Sequence, residues 1–241
     1  DGLEYTTLNL VHGEITPMRY GGNYKSYGPQ YPRGIQEGNG VPADGDLWVS
    51  YSVNKEDMWI SRIPVPVEIN ASAHADDDFS KNKSIAELTD WNIYSPVWAP
   101  VSLEDQWLKL QDKDPFDYAK VERKIPASKE LKVSFDLKAG QNNKGTLQIE
   151  FLDENGIACS RMELTDDGIF RLKGGSRFAN MMKYEAGKVY HVEAVLSTVD
   201  RNIQVYVDGK RVGLRMFYAP VAAVERIVFR TGVPRTFPTV D

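Results

Sequence analysis

The chain has 241 residues, of which 41% are hydrophobic and 26% charged, a balance that permits a sizeable buried core. Its net charge is −5 with no run of more than two basic residues, which argues against a nucleic-acid binder, since such proteins need a clustered basic surface. No apolar stretch approaches the roughly 20 residues that a membrane-spanning helix requires.

Composition divides the chain into three regions. Residues 1–68 are rich in Gly, Tyr and Pro, residues 69–90 are polar and acidic, and residues 91–241 carry short strand-like segments. We predict a loop-rich segment with a β-hairpin, then a polar linker, then a β-sandwich. Because the chain begins at Asp1 without Met or a signal segment, we expect a processed chain or a fragment.

A tyrosine- and glycine-rich segment, residues 19–34, precedes the first clear strand pair. Long segments without regular structure in compact domains are usually functional or disordered, and aromatic residues argue against disorder. Aromatic faces stack on sugars, and arginine binds the carboxylates of uronates and sialates in a bidentate manner. The candidate substrate-binding residues in and just after this segment are Arg19, Tyr20, Tyr24, Tyr27, Arg33 and Asn39.

Two polar residues beside this segment are candidate catalytic groups. Glu37 has the chemistry of a general acid or base, and His12 has that of a base. Glycosidic cleavage typically needs two carboxylates about 5–10 Å apart, and Glu14, Asp44 and Asp46 are alternative partners for Glu37. The competing interpretation is a packed connector whose tyrosines fill an interface.

A β-hairpin is predicted over residues 46–63. Leu47, Val49 and Tyr51 recur at the period of two that is typical of a half-buried strand, and the second strand repeats the pattern. The four polar residues 54–57 suit a type I-based turn.

From residue 91 onward, turn signals recur at about 8–12 residues, the spacing of a sandwich or barrel. One strand alternates cleanly, and its residues predicted to point inward are Leu131, Val133, Phe135 and Leu137. Asp208-Gly-Lys210 predicts a tight hairpin turn. The single cysteine, Cys159, excludes an internal disulfide and, lying in a predicted strand, is expected to be a small buried hydrophobe.

The run from Gly187 to Asp200, followed by Ile203 to Lys210, resembles laminin-G and concanavalin-like jelly rolls. In those proteins one core strand is followed by another that ends in an Asp-Gly-Lys hairpin. The resemblance covers about residues 130–231 and implies an all-β jelly-roll sandwich. This fold hosts lectins, hydrolases, lyases and structural modules, so the fold alone does not imply an activity.

A second resemblance lies in Met18-Arg-Tyr-Gly-Gly22, Tyr27-Gly-Pro-Gln-Tyr31 and the hairpin that begins Asp44-Gly-Asp-Leu-Trp48. Residues 12–66 resemble the closing blade of BNR-type, sialidase-like β-propellers. A propeller needs at least about four blades, and the Asp-box pattern Ser-x-Asp-x-Gly-x-x-Trp is absent from the sequence. The resemblance therefore implies that the other blades lie upstream or come from a partner chain.

No cofactor is predicted. The candidates for Ca²⁺ are Asp76–Asp78 and Asp112–Asp114, but calcium takes about six to eight oxygen ligands and short acidic runs are more often solvated. Trp91, Trp98 and Trp107 are expected to be buried, because aromatics of this size usually contribute to cores. If exposed, they would form a sugar-stacking platform.

The resemblances imply the C-terminal portion of a secreted or periplasmic carbohydrate-active protein, a glycoside hydrolase or polysaccharide lyase of the kind found in gut and environmental bacteria. Its partner would be a polysaccharide or glycan, and the chain alone is expected to be inactive without the remaining blades. The alternative is a stand-alone carbohydrate-binding or structural module. A third hypothesis places catalysis in the sandwich, with paired carboxylates on one sheet face drawn from Gln148, Glu150 and Glu193.

Overall fold

The computed structural model of the protein describes residues 11, 18–26, 28–35, 46–63, 75–88, 90–114 and 117–232. The chain divides into two compact units, Asp1–Asn70 and Ala71–Asp241. Apart from one 3-10 turn at Ile85–Glu87, the regular structure of the described residues is β-strand, and the predicted all-β sandwich class is confirmed. None of the helical segments in these ranges is long and apolar enough to cross a membrane.

The first unit holds a three-stranded antiparallel sheet of β1 (Pro29–Ile35), β2 (Leu47–Val53) and β3 (Asp57–Ile63) in that order. The predicted hairpin is β2–β3, with Val53 opposite Asp57. Its turn has Asn54 and Lys55 at φ 57° and 58°. Two successive left-handed residues make a type I′ turn, whose twist suits the flanking strands, so the predicted type I-based turn is wrong.

The second unit is a sandwich of two antiparallel sheets. Its strands are β4 (Trp91–Tyr94), β5 (Val101–Glu104), β6 (Trp107–Leu110), β7 (Lys120–Ser128), β8 (Glu130–Lys138), β9 (Leu147–Leu152), β10 (Ala158–Leu164), β11 (Ile169–Gly174), β12 (Arg177–Lys183), β13 (Val189–Ser197), β14 (Asn202–Val207), β15 (Lys210–Met216) and β16 (Val224–Thr231). One sheet has the order β12–β11–β10–β9–β16–β7–β4, and the other has the order β15–β14–β13–β8. β5 and β6 pair as a separate hairpin.

One hydrophobic core fills the space between the two sheets. Ile149, Phe151 and Met162 of the seven-stranded sheet are fully buried against Val192 and Ile203 of the four-stranded sheet. The predicted inward residues of β8 pack against this core, which confirms that prediction: Leu131, Val133, Phe135 and Leu137.

The predictions for Cys159 and for the Asp-Gly turn are also confirmed. Cys159 lies in the core, and burial raises the pKa of its thiol to about 12, so the thiol is unreactive at neutral pH. Asp208 and Gly209 join β14 to β15 with φ values of 49° and 77°, as a two-residue hairpin turn requires.

The segment predicted to be a polar linker contacts the sandwich in its described part. The Arg123 Nε atom donates to Asp77 Oδ2 at 2.9 Å, and the ring of Phe79 lies 5.9 Å from that of Trp91. The domain boundaries at residues 68 and 90 stay predictions.

The tryptophans do not share one environment. Trp91 is half-buried and also lies against Phe229, with 6.4 Å between ring centroids. Trp98 is 62% exposed, so its predicted burial is wrong. It lies in the loop between β4 and β5, where its carbonyl accepts a hydrogen bond from the Lys113 amide at 2.9 Å. A backbone contact of this kind fixes the loop without covering the indole.

Candidate functional site

The outer face of the seven-stranded sheet is lined by charged side chains. Because alternate residues of a strand point to opposite faces, the residues between the core positions of β9, β10 and β11 point outward. They include Gln148 and Glu150 of β9, which lie opposite Glu163 and Arg161 of β10. Glu163 in turn lies opposite Arg171 of β11.

A chain of polar contacts crosses this face. The Arg230 Nη2 atom donates to Gln148 Oε1 at 2.5 Å, and Gln148 Nε2 donates to Glu163 Oε2 at 3.4 Å. Arg171 forms an ion pair with the other oxygen of Glu163. Gln148 is fully buried and Glu163 is only 4% exposed. This row therefore holds Arg171 and Arg230 in fixed positions along the sheet.

A second row runs parallel to the first. Arg161 Nε donates to Glu150 Oε1 at 2.6 Å, and both side chains are largely buried. Lys173 lies beyond Arg161 on β11 and forms no ion pair with any described residue. Together the two rows hold four cations, Arg161, Arg171, Lys173 and Arg230, against two carboxylates, so four minus two leaves a surplus of two positive charges.

Two aromatic rings border these cations. The Arg171 guanidinium carbon lies 4.3 Å from the centroid of the Phe178 ring. The Lys173 ammonium lies 4.3 Å from the Tyr218 ring and 5.9 Å from Phe178. We call Arg171, Lys173, Phe178 and Tyr218 the cation–aromatic cluster. Contacts of this geometry are attractive and fix long cationic side chains.

Several polar atoms here have no hydrogen-bond partner. Within the described ranges, the Tyr218 hydroxyl and the Nε atoms of Arg171 and Arg230 are buried and unpaired. Burial raises the pKa of the Tyr218 phenol to about 12, so this group is a neutral donor at physiological pH. Unsatisfied buried donors are uncommon in folded proteins, so these groups are candidates for contact with a ligand or an ordered water.

The sequence-predicted site residues are placed differently. Arg19 pairs with Glu56 and Asp57 at the β2–β3 turn, so its guanidinium is already engaged by carboxylates. Tyr20 and Tyr24 are 67% and 90% exposed, and Arg33 is exposed on β1.

The remaining predicted site residues, His12, Tyr27, Glu37 and Asn39, lie outside the described residues. The catalytic and substrate-binding roles of the whole predicted set stay predictions.

Glu56 anchors the described part of the tyrosine-rich segment. Its side chain is 2% exposed and accepts hydrogen bonds from the backbone amides of Arg19 and Tyr20 and from Lys25 Nζ, at 2.8–3.1 Å. Burial alone would raise the pKa of the carboxyl, but these hydrogen bonds outweigh it and lower the pKa below 4.5. The segment is thus attached through an ionised carboxylate.

This anchor predicts a pH-dependent attachment. A lowered folded-state pKa contributes stability above pH 4.5 that is lost as the pH falls through the folded-state value. We expect the hydrogen-exchange protection of the Arg19 and Tyr20 amides to fall in acid, and Glu56→Ala to abolish it at neutral pH. The amide of Asn54 is the control, because it donates to the Gly28 carbonyl at 3.0 Å and should stay protected. Equal protection of all three amides at pH 3 and pH 7 would contradict this account.

A catalytic carboxylate pair from the third hypothesis is not formed. Glu150 lies in the seven-stranded sheet, whereas Glu193 lies in the four-stranded sheet and pairs with Lys132 at 2.8 Å. The predicted pair is wrong because strand order is not visible in the sequence. Glu150 and Glu163 do share a face, but each is already bound to an arginine.

The acidic runs proposed for Ca²⁺ are engaged in protein contacts. Asp77 binds Arg123, and Asp112 accepts hydrogen bonds from the Asp114 amide and the Thr231 hydroxyl, both at 2.9 Å. In the described part of the chain, no group of three or more His, Cys, Asp or Glu side chains is arranged to hold a metal ion.

The alternation of buried and exposed residues along β11 indicates part of the cation–aromatic cluster. Arg171 and Lys173 alternate with the buried Phe170 and Leu172, so their outward direction follows from the sequence. No sequence pattern indicates the position of Tyr218. It lies in the crossover from β15 to β16, and only the folded chain brings it to the outer face of the seven-stranded sheet.

Comparison with known proteins identifies relatives of this chain. The family described as "Sialidase-like, CBM domain" matches residues 91–241. A solved structure of a protein named "Sialidase" is 91% identical with a TM-score of 0.94, over 100% of this chain and 22% of that one. The chain therefore spans about a fifth of that relative's length.

A second solved structure is similar in fold alone. The apo form of the Crh5 transglycosylase is 12% identical with a TM-score of 0.52, over 67% of this chain and 69% of that one. Comparison with curated proteins gives no match. Because the family match covers more than half of its residues, the chain belongs to the sialidase-like CBM domain family.

Proposed function

We propose that the sandwich is a glycan-binding domain of a longer sialidase-like protein and that the cation–aromatic cluster contacts the sugar. The observation that carries the proposal is the placement of Arg171 and Lys173 against the rings of Phe178 and Tyr218 on one sheet face. Family membership supports a carbohydrate as the ligand.

The chemistry of the cluster favours acidic sugars. The surplus positive charge of the two rows attracts a carboxylate, and arginine binds one through two parallel hydrogen bonds. Phe178 and Tyr218 are partly exposed and offer apolar edges to the C–H surface of a sugar ring. The Tyr218 hydroxyl has no hydrogen-bond partner among the described residues and is a neutral donor for a sugar oxygen. A glycan that carries carboxylates can pair with the cations, pack against the two rings and accept a hydrogen bond from the Tyr218 hydroxyl.

We propose that catalysis takes place in another part of the longer protein, outside these 241 residues. The likeness to a sialidase over about a fifth of its length supports this assignment, as do the arginine-bound carboxylates of the sandwich. The three-stranded sheet of the first unit is proposed to belong to a propeller blade. The whole protein is proposed to cleave glycans as a hydrolase or lyase and to be secreted or periplasmic, where such polymers occur.

A glycan panel tests the proposal directly. The 241-residue chain should bind glycans that carry sialate or uronate more tightly than neutral glycans of the same length, and should release no sugar from any of them. Binding is measured by calorimetry and turnover by chromatography of the products. Rapid turnover by the chain alone would contradict the assignment of catalysis to other sequence, and failure to bind any glycan would contradict the binding role.

A further inference from the structure

A row of exposed cations follows the open edge of the sandwich. β12 ends the seven-stranded sheet, β15 ends the four-stranded sheet, and the two strands contact each other across the core. We define the basic edge as the exposed residues Arg177, Lys183, Lys210, Arg211 and Arg215.

A cleft of about 340 Å³ lies between these two edge strands. Asn180 and Met181 line it from β12, and Arg211 and Arg215 line it from β15. Gly213 forms part of the lining, and a Cβ atom there would lie 2.7 Å from Met181 Sδ. Glycine at this position therefore lets the two edges approach while the arginines border the cleft.

The cations of the basic edge lack carboxylate partners of the kind that Arg123, Arg161 and Arg226 have. Arg123, Arg161 and Arg226 all pair with carboxylates, although the whole chain has a net charge of −5. Within the described ranges, neither Arg177 nor Arg211 forms an ion pair. Arginines without a carboxylate partner thus lie on both edge strands, β12 and β15, of an acidic chain.

We propose that the basic edge binds a linear polyanionic glycan, with acidic groups on successive sugars, rather than a single acidic sugar. The seven residues of β12 span about 20 Å, longer than one sugar ring, so charges along this length match a repeating polymer. Edge strands also present unpaired backbone N–H and C=O groups that bind sugar hydroxyls. This inference rests on the proposed glycan-binding function and adds a second contact surface to the cation–aromatic cluster, since Arg177 directly precedes Phe178 on β12.

Edge-strand cations have another common role, which is to prevent pairing with a second sheet. That role requires charge on each edge but does not require a cleft between the two edges. The cleft lined by Asn180, Arg211 and Arg215 distinguishes the basic edge from simple protection of a strand.

Charge reversal tests the inference. In calorimetry, the chain should bind an oligogalacturonate more tightly than galacturonic acid monomer and more tightly than a cello-oligosaccharide. The double variant Arg177→Glu with Arg211→Glu should weaken oligogalacturonate binding by about tenfold or more, because two attractions become repulsions. The control changes the same charge elsewhere, with Lys129→Glu and Lys144→Glu, both at exposed positions, and should bind like the wild-type chain.

The possible results of this experiment test the basic edge and the proposed glycan-binding function separately. Retained glycan binding with no effect of the double variant, or equal affinity for monomer and polymer, would overturn the inference alone. Absence of binding to every glycan would overturn the proposed function as well. Tighter binding of a single-stranded DNA oligomer than of oligogalacturonate would also overturn the inference, because the basic edge would then bind phosphates. Circular dichroism of the variants verifies that they are folded.

Discussion

Replacing Glu150 by alanine should destabilise the sandwich by about 3 kcal/mol, because it leaves Arg161 as an unpaired, largely buried cation. The Arg161 Nε–Glu150 Oε1 hydrogen bond is 2.6 Å long, and the two side chains are 16% and 9% exposed. In a protein of this size, we expect the melting temperature to fall by roughly 10 °C. Urea unfolding at neutral pH measures the change in free energy.

The matched control is a solvent-exposed ion pair whose donor–acceptor distance is similar. Lys109 Nζ lies 2.8 Å from Glu104, with side chains 44% and 54% exposed, and Glu104→Ala should leave stability nearly unchanged because water screens such pairs. Joint replacement of Glu150 and Arg161 by methionine should recover most of the lost stability. Equal losses for Glu150→Ala and Glu104→Ala would contradict the assignment of a buried pair.

The sequence predicts the sandwich because the patterns that indicate its strands and turns involve only neighbouring residues. The alternation of β8 and the Asp208-Gly209 turn depend on neighbouring residues only, and both are confirmed. Burial of Trp98 was predicted from residue size, but a loop position fixed by a backbone hydrogen bond leaves the ring exposed. Local patterns therefore predicted strands and turns better than they predicted which aromatic residues are covered.

The candidate site was harder to predict because it depends on strand order. The sequence suggests Gln148 and Glu150 as catalytic positions, yet β10 lies beside β9 and its Arg161 binds Glu150. Tyr218 reaches Lys173 from a crossover between the two sheets. No periodicity in the sequence indicates that neighbour. The composition of the tyrosine-rich segment is visible in the sequence, whereas the cation–aromatic cluster is assembled from residues far apart in the chain.

Truncation of the cation–aromatic cluster should weaken glycan binding strongly. Lys173→Ala removes a cation that has no carboxylate partner among the described residues, and Phe178→Ala removes the ring beside Arg171. Each change should raise the dissociation constant for an acidic glycan by about tenfold, as truncation of a central contact typically does. Both residues are partly exposed on the outer face, so the fold should be retained.

Lys132→Ala provides the control, because Lys132 is 66% exposed on the four-stranded sheet and away from the cluster strands. The most direct measurement is a calorimetric titration of the wild-type chain and these three variants with a glycan that carries sialate or uronate. The predicted result is tight binding by the wild-type chain and the Lys132 variant, with about tenfold weaker binding by the Lys173 and Phe178 variants. Equal affinity in all four proteins would show that the glycan binds elsewhere and would contradict the assigned site.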